Sequence, residues 1–196
     1  MLQFKTQPAE RFSIIEQCQM VIEGGCAWIQ LRLPDADESY IRELAQELIP
    51  LCKETSTIFM LEDRPSLAKE LGLHGIHVTA DSGLNAVQVR EEFGPEAIIG
   101  TDVENYDAIK DLQNADIDYV TIPSSVLPEK RLSILEQARQ ADCTIPIVAD
   151  GIFDIAKGVE AIKEGFSGIC TGRYIVAAQD PVEYTERFID SLRRCE

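Results

Sequence analysis

Glu62, Asp63 and Arg64 follow directly on the apolar run Thr57-Ile58-Phe59-Met60-Leu61 and stand just before Pro65. Two carboxylates and a guanidinium at the end of a buried strand are costly unless a ligand, a metal or one another uses them. The same juxtaposition recurs along the chain. Gln30 and Arg32 end one apolar run, and His77, Thr79 and Asp81 end the next after Leu61. Thr101 with Asp102, Ser124 with Ser125, Asp150 with Gly151, and Thr171 with Gly172 and Arg173 close four more. Carboxylates suit a hard cation such as Mg²⁺, arginine suits phosphate oxygens, and glycine N–H groups suit an anion approached closely. These residues are expected to face a shared pocket rather than a dry core. The chain's negative charge does not forbid a phosphorylated small molecule held at a locally basic or metal-loaded part of it.

Something must bring those run ends to one place. The apolar runs predict strands over 2–5, 26–31, 57–61, 75–78, 97–100, 118–122, 145–149 and 167–171. Between them, 3.6-residue spacing, N-capping residues and terminal glycines predict helices over 11–23, 37–54, 65–71, 85–93, 105–113, 129–140, 155–164 and 181–194. Strict alternation implies a parallel sheet, and eight units are what a closed (β/α)8 TIM barrel requires. The competing open, doubly wound sheet places a glycine-rich loop after its first strand, whereas Thr6-Gln7-Pro8-Ala9 contains no glycine. A barrel carries its chemistry where strands end and βα loops begin, which is where the polar residues lie.

Composition narrows the class. A chain of 196 residues, 45% hydrophobic and 27% charged, reads as one globular domain over 1–196. Its net charge of -16 argues against a nucleic-acid partner, which needs a basic face. No apolar stretch approaches the roughly 18 residues of a membrane span, and the N-terminus lacks a secretory signal. Six scattered cysteines without a C-x-x-C pair read as reduced thiols, so the expected location is cytoplasmic. A homodimer is the assembly this reading allows.

The runs GGCAWIQLR, LEDRPSLAKELGLHGIHVT, IPIVADGI and EGFSGICTGRYI resemble the thiamine phosphate synthase/TenI family, in order and over nearly the whole chain. The resemblance implies a barrel that joins hydroxymethylpyrimidine diphosphate to a thiazole phosphate and releases pyrophosphate, with Mg²⁺ as cofactor. It places Gln30 and Arg32 on pyrophosphate, Asp63 on Mg²⁺ and Gly151 on the thiazole phosphate. Glu62, Asp102, Ser124, Ser125, Gly172 and Arg173 join the expected substrate contacts, His77 and Arg32 the catalytic group, and Asp81 the metal site.

Departures from the family pattern are equally specific. Pro34 replaces the lysine of Q-x-R-x-K, Glu62 an asparagine, Ser82 the second metal aspartate, and Asp102 a serine. SSVLPEKR is a shortened strand-six loop in which Ser124, Ser125 and Lys130 are the candidate replacements. Ser124-Ser125 also stands where tautomerases of the family keep a histidine. Asp150 replaces the first of two glycines and is expected to pair with Arg173. These losses predict slow turnover. They keep a second reading open, a diverged barrel that binds a phosphorylated ligand or a partner protein without this chemistry. Two further alternatives stand: Asp63 as a simple helix N-cap, and His77 as a buried, hydrogen-bonded strand residue.

Overall fold

Alternation within each short strand decides the architecture. In β1 (Leu2–Lys5), Leu2 and Phe4 face one way and Gln3 and Lys5 the other; the same split holds in β2 (Trp28–Leu31) and β3 (Ile58–Glu62). It continues through β4 (Gly75–Val78), β5 (Ile98–Asp102), β6 (Tyr119–Ile122), β7 (Ile147–Asp150) and β8 (Gly168–Thr171). The computed structural model describes residues 1–195 and closes these eight parallel strands into a barrel in chain order. β1 pairs with β2 and with β8, so no edge is left open.

The two faces build two cores. Outward side chains such as Phe4, Ile29, Phe59, Ile76 and Ile169 pack against the helices in the larger one. Inward, Met60, Tyr119, Val148 and Cys170 fill the barrel, flanked by Trp28, Ile58 and Ile98. Register joins inward residue to inward residue: Lys5 with Gln30, Gln30 with Met60, Glu62 with His77, Asp150 with Cys170. The polar strand ends therefore stand on top of an apolar plug, around one mouth.

The ring of helices comprises α1 (Ile14–Glu23), α2 (Glu38–Glu54), α3 (Pro65–Glu70), α4 (Ala86–Phe93), α5 (Tyr106–Leu112), α6 (Pro128–Gln140) and α7 (Ile155–Glu164). Side-chain caps start several of them: Ser13 and Glu16 form a capping box on α1, Asp37 caps α2, and Asp154 caps α7. Two further helices follow β8, the one-turn α8 (Arg173–Val176) and α9 (Pro181–Arg193). The extra turn α8 has no counterpart in the periodicity, because four residues are too few to show one. β3, β5 and β7 also reach further than their apolar runs, so Glu62, Asp102 and Asp150 are last rungs of the ladder rather than loop residues. Among the described residues no helix is long and apolar enough to cross a membrane.

Candidate active site

A cavity of about 860 Å³ opens at the C-terminal ends of the strands. On its β2–β3 side, Glu62 is 8% exposed and receives two partners from β2 and its loop. Gln30 Nε2 donates to Glu62 Oε1 at 2.8 Å, and Arg32 Nε lies 3.2 Å from Glu62 Oε2. Burial pushes the Glu62 carboxyl above its usual range, against the opposing pull of Lys5, His77 and Arg32. Glu62 and Arg32 line the cavity, whereas Gln30 lies beneath them and reaches it through Glu62.

Asp63 is held in an uncommon backbone. Its φ of 55 lies in the left-handed region, a conformation Asp tolerates better than most residues, immediately after a strand. That turn aims the carboxylate at the next loop, where Thr79 donates both its N–H, at 2.7 Å, and its hydroxyl. Asp63 is not the cap of α3: Arg64 occupies that position and makes no side-chain cap bond. Asp81 lines the same cavity from the β4–α4 loop.

Asp102 is fixed from below. His77 Nε2 lies 3.0 Å from Asp102 Oδ1, and His77 Nδ1 lies 3.0 Å from the Tyr119 hydroxyl. A neutral imidazole serves both only as the Nε2–H tautomer, donating to the carboxylate and accepting from the phenol. Burial, with Cys170, Asp102 and Glu62 nearby, pushes the Tyr119 hydroxyl well above its ordinary value, so it stays a donor. His77 itself is buried and does not line the cavity, where Asp102 does.

The β6–β1 side is built differently. Ser124, Ser125, Gly151, Gly172 and Arg173 all line it. Gly151 has φ 72, and a Cβ there would stand 2.4 Å from Ser124 Cβ; a Cβ on Gly172 would fall 1.9 Å from the Lys5 carbonyl oxygen. Both positions thus require glycine for close approach. The Gly151 N–H donates to the Cys170 carbonyl at 3.1 Å, so it is engaged rather than free as the sequence suggests.

Asp150 does not pair with Arg173. Its Oδ2 accepts from Lys5 Nζ at 2.8 Å, across the top of β8, where Cys170 stands beside Asp150 in the register. Burial works against the Lys5 charge, but Cys170, Asp150 and Glu62 outweigh it and hold the ammonium above the ordinary lysine range. Lys5 is the site residue the sequence reading lacks. Its signal is the alternation of Leu2-Gln3-Phe4-Lys5, which points Lys5 inward at a strand end. Lys130 does not line the cavity; its neighbour Arg131 instead clamps the loops, donating to the carbonyls of Val126, Pro123 and Asp150 at 2.9–3.0 Å.

The donor set suits a hard divalent cation at Asp63 and Asp81. Each Asp63 oxygen keeps a lone pair beyond its Thr79 bond, and such ions need only one or two carboxylates beside water and substrate phosphate. Among the described residues no three His, Cys, Asp or Glu side chains form an all-protein metal cage. All six cysteines are free, and burial raises the thiols of Cys26 and Cys52 to about 11, leaving them unreactive.

Known proteins resemble the chain in sequence and in fold. The chain is 36% identical over 202 residues to thiamine-phosphate synthase of Bacteroides fragilis (strain YCH46), covering 96% of this chain and 98% of the relative. It is 30% identical to the enzyme of that name from Bacteroides thetaiotaomicron over 204 residues, covering 98% and 97%. The barrel superposes on thiamine phosphate pyrophosphorylase from Pyrococcus furiosus with a TM-score of 0.87 at 23% identity, covering 99% and 96% of the two chains, a likeness of fold. A family model described as thiamine monophosphate synthase matches residues 4–175, nearly all of the barrel and every strand end described above. The chain belongs to the thiamine monophosphate synthase family.

Proposed function

We propose that the chain is a Mg²⁺-dependent transferase of thiamine biosynthesis. It joins hydroxymethylpyrimidine diphosphate to a thiazole phosphate and releases pyrophosphate. The observation that carries this reading is the β2–β4 corner of the mouth. There Arg32, a cation for a leaving diphosphate, lines the same cavity as the carboxylates of Asp63 and Asp81.

In the reaction the C–O bond between the pyrimidine methylene and the diphosphate breaks, and pyrophosphate departs with the electron pair. The thiazole nitrogen then supplies the electron pair for the new C–N bond. Bound at Asp63 and Asp81, Mg²⁺ would neutralise charge on the departing group. Arg32 exchanges part of its contact with Glu62 for phosphate oxygens, and Gln30 keeps Glu62 in place. Glu62 accepts from the pyrimidine amine. Asp102, held by His77, faces the same substrate, so His77 acts through it. Ser124, Ser125, Gly172 and Arg173 receive the thiazole phosphate on the opposite side, with Gly151 leaving room beside Ser124. The unit is the one barrel domain, 1–196, acting on phosphorylated small molecules in the cytoplasm rather than on nucleic acid.

One observation favours the alternative of a binding protein without turnover: Asp102 and Asp150 add carboxylates to a cavity meant for anions. A thermal-shift comparison of pathway intermediates separates the two. Selective stabilisation by the pyrimidine diphosphate that requires Mg²⁺ supports the transferase; equal response to any phosphate, with or without Mg²⁺, contradicts it.

A further inference from the structure

The basic groups around the mouth differ in how committed they are. Arg32 contacts Glu62, Arg64 donates to the carbonyls of Asp63 and Pro34, and Arg173 is exposed at the rim. Lys5, the last residue of β1, has a side chain 17% exposed that still lines the cavity. Among the described residues Asp150 takes one of its three N–H donors. Gly172, just after β8, lines the same cavity beside Lys5, and its missing Cβ lets the two backbones approach closely. An ammonium so placed has already lost most of its water, which strengthens its hold on an anion.

We propose that Lys5 is a ligand-contacting cation, whose ammonium turns two donors to the phosphoryl oxygens of a phosphorylated substrate on the β7–β8–β1 side of the cavity. Asp150 is its resting counterion and keeps the buried charge paired while the site is empty. The identity of the ligand as a thiazole phosphate rests on the transferase reading; the contact with a phosphoryl group does not. Carboxylates outnumber basic side chains around this cavity, so each uncommitted cation counts toward phosphate affinity.

The competing role is purely structural, with Lys5 present only to neutralise Asp150. Calorimetric titration of the full chain with inorganic phosphate, at fixed salt, distinguishes them. Lys5→Met alone strands a buried carboxylate, so the decisive variant is Lys5→Met/Asp150→Asn, which removes both charges at similar volume. The expected result is a folded protein with phosphate affinity lowered about tenfold or more, the size expected for a lost hydrogen bond to a charged group. Asp150→Asn with Lys5 intact binds phosphate more tightly than the unaltered chain. Phosphate binding by the double variant within about twofold of the unaltered chain overturns the proposal, since a mere counterion is dispensable once its partner is neutral.

Should the double variant not fold, the ¹⁵N-labelled Lys5 ammonium of the unaltered chain is followed during the same titration. A shift that saturates with phosphate supports the contact, and no shift at saturation overturns it. An equal loss for Mg²⁺-pyrophosphate in the double variant moves Lys5 to the leaving-group side and overturns its assignment here. An unaltered chain that binds phosphate through Lys5 yet forms no thiamine phosphate sinks the reaction and leaves the Lys5 contact standing.

Discussion

The two halves of the mouth solve the burial of charge in opposite ways. From β2 to β5, three carboxylates are held by neighbours: Glu62 by Gln30 and Arg32, Asp63 by Thr79, Asp102 by His77 with Tyr119 behind it. From β6 to β1, two close-packed glycines and two serines leave room, and a single ion pair, Lys5–Asp150, spans it. The first half is a rigid, preorganised lattice of donors and acceptors, of the kind that stabilises developing charge without reorganising. The second is an open seat with one cation that exchanges partners. The difference assigns metal and leaving group to the first half and the second phosphate to the other.

That division predicts graded effects. Arg32→Ala, in the rigid half, should lower both Mg²⁺-pyrophosphate affinity and turnover, the latter by about 10²- to 10³-fold, with Lys a poor substitute because it lacks the planar fork. Turnover within tenfold of the unaltered chain would erase the contrast between the halves. Asp63→Asn tolerates the left-handed backbone and should fold, yet raise the Mg²⁺ concentration for half-maximal activity about tenfold or more. An unchanged Mg²⁺ dependence would move the metal elsewhere.

Tyr119→Phe leaves the buried Nδ1 of His77 without its donor and should cost about 1–3 kcal/mol in denaturant unfolding. No loss would mean that the Asp102–His77–Tyr119 chain is not held as a unit. Glu62→Gln tests the electrostatics. The native state raises the Glu62 carboxyl, so its contribution to stability is full below the ordinary value of 4.5 and is lost as pH rises through the raised value. The variant should therefore gain stability relative to the unaltered chain as pH rises above the ordinary value of 4.5; a relative loss contradicts the raised value. Ser125→Ala, in the open half, should be mildest, leaving Mg²⁺-pyrophosphate affinity within about twofold.

How much of this was legible depends on sequence distance. Strand ends were readable because the apolar runs stop at polar residues, and the alternation of Ile58-Phe59-Met60-Leu61-Glu62 already turns Glu62 inward. Partnerships were not. Lys5 and Asp150 lie 145 residues apart and meet only because barrel closure brings β1 and β7 to the two sides of β8. The four-residue strand Leu2–Lys5 was too short to draw attention to its own end, which is why Asp150 was matched with Arg173 instead. Tyr119 was readable as inward, but its contact with His77 spans two strands and depends on barrel closure. The left-handed turn at Asp63 has no sequence signal, since aspartate adopts either hand and serves equally well as a cap.

The most direct measurement is a steady-state assay of the unaltered chain with hydroxymethylpyrimidine diphosphate and the thiazole phosphate, following thiamine phosphate and pyrophosphate together. The account predicts equal amounts of both products, an absolute need for Mg²⁺, and turnover below about 1 s⁻¹, toward the low end of enzyme rates, because Pro34 and the short strand-six loop leave cations missing. Binding of both substrates with Mg²⁺ present but no thiamine phosphate above the enzyme-free rate would contradict it.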